Sequence, residues 1–188
     1  MISRAESAAA TGRALLDAAS GLLDEGGPDA VTLRAVGAKA GVSRGAPYGH
    51  FADKEELLAA LAIRGWTQMT AELERVTADA DATPDERLYR AVLVFLTVAR
   101  TRPHLYGLMF ITPSRDPESI VAAASKSQDV FLSVVAEVVG HEEARSTGAL
   151  LMSSAHGIAG MERSRQLGEA KWGTTGDQLV RRLIALLG

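Results

Sequence analysis

At 188 residues and 47% hydrophobic, the chain can bury a core of ordinary size and is not a disordered tail. It has no cysteine, which excludes disulfides and thiolate metal sites. A net charge of −3 argues against polyanion binding over the whole surface. Residues 32–54, however, set Arg34, Lys39, Arg44 and Lys54 against Asp53 alone, a local basic surplus on an acidic body.

The first periodic segment, GRALLDAASGLLDEGG (12–27), places Leu15, Leu16, Ala19, Leu22 and Leu23 on one side of a helix that Gly26 and Gly27 end. Thr32 is the expected N-cap of LRAVGAKA (33–40), with Gly41 closing it. Ser43 is the expected cap of a short helix that follows. Asp53, with Glu56 three residues on, has the capping-box form and opens a long helix. Thr83, Pro84 and Asp85 start the next, which runs through AVLVFLTVA (91–99) until Pro103 resets the chain. That apolar run falls far short of the ~20 residues a membrane span needs, so a cytoplasmic setting is expected. PHLYGLMF (103–110) reads as one or two turns and TPSRDP (112–117) as a loop. Two long helices are expected over 118–140 and 141–167, then a break at GTTG (173–176) and a closing helix. Period-two alternation is absent, so the expected fold is all-α with about nine helices.

Helix, glycine turn and short helix over 32–51 form the arrangement of a helix-turn-helix. Gly41 supplies the residue tolerant of positive φ that the turn needs. Leu33, Val36, Ala40, Val42 and Phe51 would lock the two helices together. Arg34, Lys39, Arg44 and His50 would stay exposed. The second segment, GVSRGAPYGHF (41–51), sets Gly45, Pro47 and Gly49 at alternate positions. Each internal glycine costs ~1 kcal/mol of helix propensity relative to Ala, so this helix should be marginal alone. The same residues hold a G-x-S-x-G pattern at Ser43, with Asp116 and His156 in a suitable order for a serine hydrolase. That turn requires a preceding strand, and 33–40 has helical period, so the hydrolase reading is set aside.

The segment TLRAVGAKAGVSRGAPYGHFADKEELL (32–58) resembles the DNA-binding region of the tetracycline-repressor (TetR) family of transcriptional regulators. Thr32, Gly41, Val42, Ser43, Tyr48, Phe51, Lys54, Leu57 and Leu58 sit at family spacing. Gly37 stands where the family usually has Ala, and Gly49 where it commonly has a large polar residue. RPHLYGLMF (102–110) and AHGIAGME (155–162) resemble one subgroup of the family's C-terminal domains. The resemblance implies a helix-turn-helix DNA-binding domain of three helices over 1–54 and a helical ligand-binding and dimerisation domain over 55–188. It implies DNA contacts by Thr32, Arg34, Ser43, Arg44, Gly45, Ala46, Pro47, Tyr48, His50 and Lys54. Tyr48, His50 and Lys54 would hold phosphates, which set register without reading sequence. Ser43, Arg44, Gly45 and Ala46 would face base edges, with Arg44 placed for a bidentate contact with guanine.

In the larger domain, Trp66, Phe95, Tyr106, Met109, Phe110, Met152 and His156 are the expected lining of a small-molecule pocket. Leu179, Val180, Leu183, Ile184 and Leu187 are the expected core of a two-fold dimer interface. The expected function is that of a non-enzymatic regulator. It would act as a homodimeric repressor on a pseudo-palindromic double-stranded operator and be released by a small-molecule effector. The alternative is a helical small-molecule-binding adaptor that has lost DNA binding. Neither metal, cofactor nor membrane is an expected partner. The four histidines form no H-x-x-x-H pair and no phosphate-cradling glycine loop occurs.

Overall fold

The computed structural model describes residues 3–111 and 116–187, with the backbone alone for Arg4 and Glu169. Among these residues every regular element is helical: α1 (Arg4–Ala30), α2 (Leu33–Lys39), a 3-10 turn (Pro47–Gly49), α3 (Lys54–Thr77), α4 (Pro84–Thr101), α5 (Pro103–Met109), α6 (Pro117–Arg163), α7 (Glu169–Trp172) and α8 (Gly176–Ala185). The loop expected over 112–117 lies mostly outside the described residues. No helix among the described residues is long and apolar enough to cross a membrane.

Local chemistry sets most of the helix ends. α1 begins earlier than its periodicity indicated, because Ser3 and Glu6 cap reciprocally at 2.7 and 3.1 Å. The backbone bond from Ser3 is the main cause that holds the Glu6 carboxyl below its ordinary pKa. Gly27 breaks α1 with φ +68, and Pro28 begins one further turn. At the start of α3, the Glu56 N–H donates to Asp53 Oδ1 at 2.9 Å, while Glu56 Oε2 accepts from the Ala52 N–H at 2.6 Å. The return contact thus falls on Ala52, one residue before the expected cap. Thr83 caps α4, its Oγ1 accepting from the Glu86 N–H at 3.3 Å. Gly140, with φ 79 and ψ 163, divides α6 into 117–139 and 141–163. The described residues thus form eight α-helices, of which α1 and α6 are each interrupted by a glycine of positive φ, against about nine expected. α8 carries a Thr175–Gln178 capping box that the periodicity alone did not reveal.

The chain packs as two compact units, Met1–Gly65 with Arg102–Ala122 and Trp66–Thr101 with Ala123–Gly188. This division falls inside α3, between Gly65 and Trp66, and differs from the expected functional boundary at 54 and 55. The first unit extends past Lys54 because α5 packs on α1 and closes on the first half of α3. A Cβ on Gly65 would lie 2.8 Å from Met109 Sδ and 3.2 Å from Leu105. Arg102, the N-cap of α5, grips α1, with Nη2 2.6 Å from Ser20 Oγ and 2.9 Å from Asp24. Leu15, Ala19, Leu23, Val36, Leu57 and Leu61 form the core of this unit. In the second unit, Phe95 and Phe131 meet edge to face at 5.5 Å, and α4 packs on α8.

Candidate nucleic-acid interface

α1 is the scaffold of the helix-turn-helix. Leu33 and Val36 bury one face of α2, and α2 packs on α1. Thr32 Oγ1 accepts from the Ala35 N–H at 3.1 Å and so fixes the start of α2. Its end is a Schellman arrangement. Gly41 takes φ +67, its N–H reaches the Ala38 carbonyl, and the Val42 N–H reaches the Gly37 carbonyl. Lys39, the last residue of α2, passes Gly21 on α1 with Cε 3.2 Å from where a Cβ would stand, and pairs with Glu25. Lys39 is therefore a brace between helices.

The expected short helix after the turn is not an α-helix. Residues 43–50 wind by i to i+3 bonds: the Ala46 N–H to the Ser43 carbonyl at 3.0 Å, Gly49 to Ala46 at 3.1 Å and His50 to Pro47 at 3.1 Å, before a single i to i+4 bond from the Phe51 N–H to the Pro47 carbonyl at 2.9 Å. Pro47 has no N–H to give the Ser43 carbonyl, and Gly45 and Gly49 weaken the α alternative. The N-cap is Ala46, without a side-chain bond, so Ser43 contributes its carbonyl and not the expected hydroxyl cap. The strand that a nucleophile turn at Ser43 would need is replaced by α2.

Pro47 corrects another expectation. It is buried, and a Cβ on Gly37 would come within 2.8 Å of its Cγ. Pro47 thus seats the turn on α2 and does not present its ring outward. The same contact explains Gly37, which makes room for the proline. His50 is half-buried, its ring 3.4 Å from where a Cβ on Gly12 would stand. Phe51 is buried beneath the turn.

An open groove of about 670 Å³ remains, lined by Leu33, Arg34, Gly37, Ala38, Val42, Arg44 and Tyr48. Arg34 and Arg44 are exposed and, among the described residues, pair with no carboxylate. Tyr48 is 61% exposed. Ser43, Gly45 and Gly49 are exposed beside it, and a Cβ on either glycine would meet nothing within 4 Å. Ala46 is half-buried. Thr32 is exposed at the head of α2, and Lys54 Nζ lies 3.9 Å from Asp29. The arrangement therefore offers two cations and a phenol over an apolar floor, a surface suited to a polyanion with readable edges.

The expected effector residues are divided. Tyr106, Met109 and Phe110 belong to the first unit and Trp66, Phe95, Met152 and His156 to the second. Trp66, Phe95, Tyr106 and Met109 are buried, and Met152 is half-buried. Phe110 is 40% exposed, its ring 4.7 Å from that of Tyr106. His156 is exposed. It follows the buried Ala155 by one residue, and one helical step of about 100° turns it off the core face. Val180 and Ile184 of the expected dimer face are buried within the chain's own second unit. Leu179, Leu183 and Leu187 are half-buried, while Leu186 is 81% exposed. On α6, Leu150, Ser153, His156 and Gly157 share an exposed strip.

The family profile described as "Bacterial regulatory proteins, tetR family" matches residues 15–61. The profile described as "Tetracyclin repressor-like, C-terminal domain" matches residues 88–187. Among solved structures, a protein of unknown function from Rhodococcus sp. RHA1 is 28% identical, with a TM-score of 0.80 over 94% of this chain and 93% of that one. A transcriptional regulator from the same organism is 23% identical, with a TM-score of 0.72 over 94% and 95%. FadR from Bacillus subtilis, solved in complex with stearoyl-CoA, is 17% identical, with a TM-score of 0.67 over 93% and 96%. No curated protein matches the chain.

Proposed function

This chain belongs to the TetR family of bacterial regulatory proteins, and from that premise we propose that it is a homodimeric repressor released from its operator by a small molecule. The observation that carries the DNA-binding half is the groove of Arg34, Arg44 and Tyr48, exposed and, among the described residues, without a paired carboxylate, on a turn braced from two sides. Arg44 reads a guanine edge, and Tyr48 and Lys54 hold phosphates. Ser43, Gly45 and Ala46 follow the groove, and Thr32 and His50 flank it.

The dimer face combines the exposed strip of α6 with Leu179 and Leu183 of α8 and Leu186 and Leu187 just beyond its end. Small residues at Ser153, Gly157 and Gly160 permit close helix approach, and a Cβ on either glycine would meet nothing within 4 Å. A two-fold pair presents two reading turns, which must match half-sites spaced by roughly 34–36 Å, so the operator is pseudo-palindromic. α3 runs through both compact units and is the element through which an effector biases that spacing. The effector acts only if it binds one spacing better than the other. The buried aromatic and methionine side chains favour a largely apolar effector. FadR, of the same fold, was solved with stearoyl-CoA, whose acyl chain is an apolar group of this kind.

A salt-titrated mobility shift with the DNA flanking the chain's own gene tests this reading. Sequence-selective retention that weakens steeply with salt is expected. Retention that is absent at low salt, with ligand binding intact, would favour the adaptor reading.

A further inference from the structure

Two polar side chains are buried among the described residues of the second unit, and they differ in one respect. The Thr70 hydroxyl on α3 donates to the Trp66 carbonyl at 2.9 Å. Ser127 on α6 is 0% exposed, and its Oγ has no hydrogen-bond partner. A serine inside a helix ordinarily returns its hydroxyl to a carbonyl one turn back, as Thr70 does. Ser127 precedes Phe131 by four residues, so the two share the buried face of α6, one turn apart. Phe131 is the ring that meets Phe95. An orphaned hydroxyl in such surroundings lowers stability, and alanine at the same position would remove the cost and form helix better. The interior thus keeps a destabilising polar group that the fold does not use, a pattern associated with function.

We propose that the Ser127 hydroxyl is the hydrogen-bonding anchor of the effector, which is a neutral and mostly apolar molecule carrying a hydroxyl or carbonyl group. The proposal rests on the regulator reading above. Neutrality follows because no charged side chain is among the buried described residues, so an ionised group beside Ser127 would lack compensation. Serine both donates and accepts, which admits either ligand group.

The test uses the full chain, wild type and Ser127→Ala, with matched probes: 2-naphthol against naphthalene, and 4-butylphenol against butylbenzene. Thermal unfolding reads both stability and binding. Ligand-free Ser127→Ala should melt about 2–4 °C above wild type. Wild type should bind the oxygen-bearing member of a pair about three- to tenfold more tightly, and Ser127→Ala should abolish that preference. A variant that melts below wild type, a preference that persists in it, equal binding of both members to wild type, or no binding of either pair would each overturn the proposal. DNA selection by wild type is scored separately. Its failure would sink the regulator reading and leave these thermal measurements to decide Ser127 alone.

Discussion

Along α4, in the second unit, every arginine ends on carboxylates. Arg87 meets Glu137 at 2.6 Å, Arg90 meets Asp79 at 2.6 Å and Glu86 at 3.1 Å, and Arg100 meets Glu162 and Asp177 at 2.7 Å each. In the first unit, Arg34 and Arg44 face an open groove and, among the described residues, no carboxylate. The hydrogen bond from Arg90 is the main cause that holds the Asp79 carboxyl below its ordinary range, and the bond to Glu162 is the main cause that raises the Arg100 pKa. Cations that serve the fold are neutralised by it. Cations left bare on one small surface are available to a partner's phosphates and bases. The contrast also separates Lys39 from Arg44, two basic residues that the sequence places in one motif.

Breaking the paired side should cost stability and spare recognition. Gly176 lies under the Arg100 cluster, and a Cβ there would press on the Glu162 carboxylate, on Ile158 Cγ2 at 2.8 Å and on Arg100 Nη2 at 2.9 Å. Gly176→Ala should therefore lose roughly 1–3 kcal/mol, as overpacking does, seen as a lower melting temperature with unchanged base preference. A changed base preference at unchanged stability would reverse the two roles. On the reading side, Gly37→Ala should push Pro47 and its turn outward. The expected cost is roughly 1 kcal/mol, or about fivefold weaker operator binding by fluorescence anisotropy. Adding Pro47→Ala should recover most of it, and failure of the double variant to recover would refute the seating role. The smallest effect belongs to Lys54→Ala, which should weaken all duplexes alike and reduce the logarithmic salt slope by about 1.

The sequence was most legible where one residue type has one backbone consequence. Thr32, Gly41, Thr83 with Pro84, Pro103 and Gly140 each mark a boundary that the structure keeps. The surplus of Arg34 and Arg44 was legible for the same reason, since local charge needs no knowledge of distant partners. What escaped depends on pairs far apart in the chain. Arg100 and Glu162 lie 62 residues apart and Arg87 and Glu137 lie 50, and periodicity carries no information about such meetings. Gly37 and Pro47 were each noticed, but only their contact explains both. Val180 lies on the apolar side of α8 that the periodicity indicated, yet that side is shared between the chain's own core and the half-buried Leu179 and Leu183. The orphaned hydroxyl of Ser127 had no signature at all, because serine inside a helix normally satisfies itself.

The most direct test of the bare-arginine claim is selection of bound duplexes from a random pool by wild type and by Arg44→Ala, side by side. Wild type should enrich a two-fold-symmetric site, and the variant should lose preference at one base pair in each half, at a cost of roughly 1–3 kcal/mol on the parent site. A wild-type pool without enrichment, or identical enriched sequences from both proteins, would contradict the account.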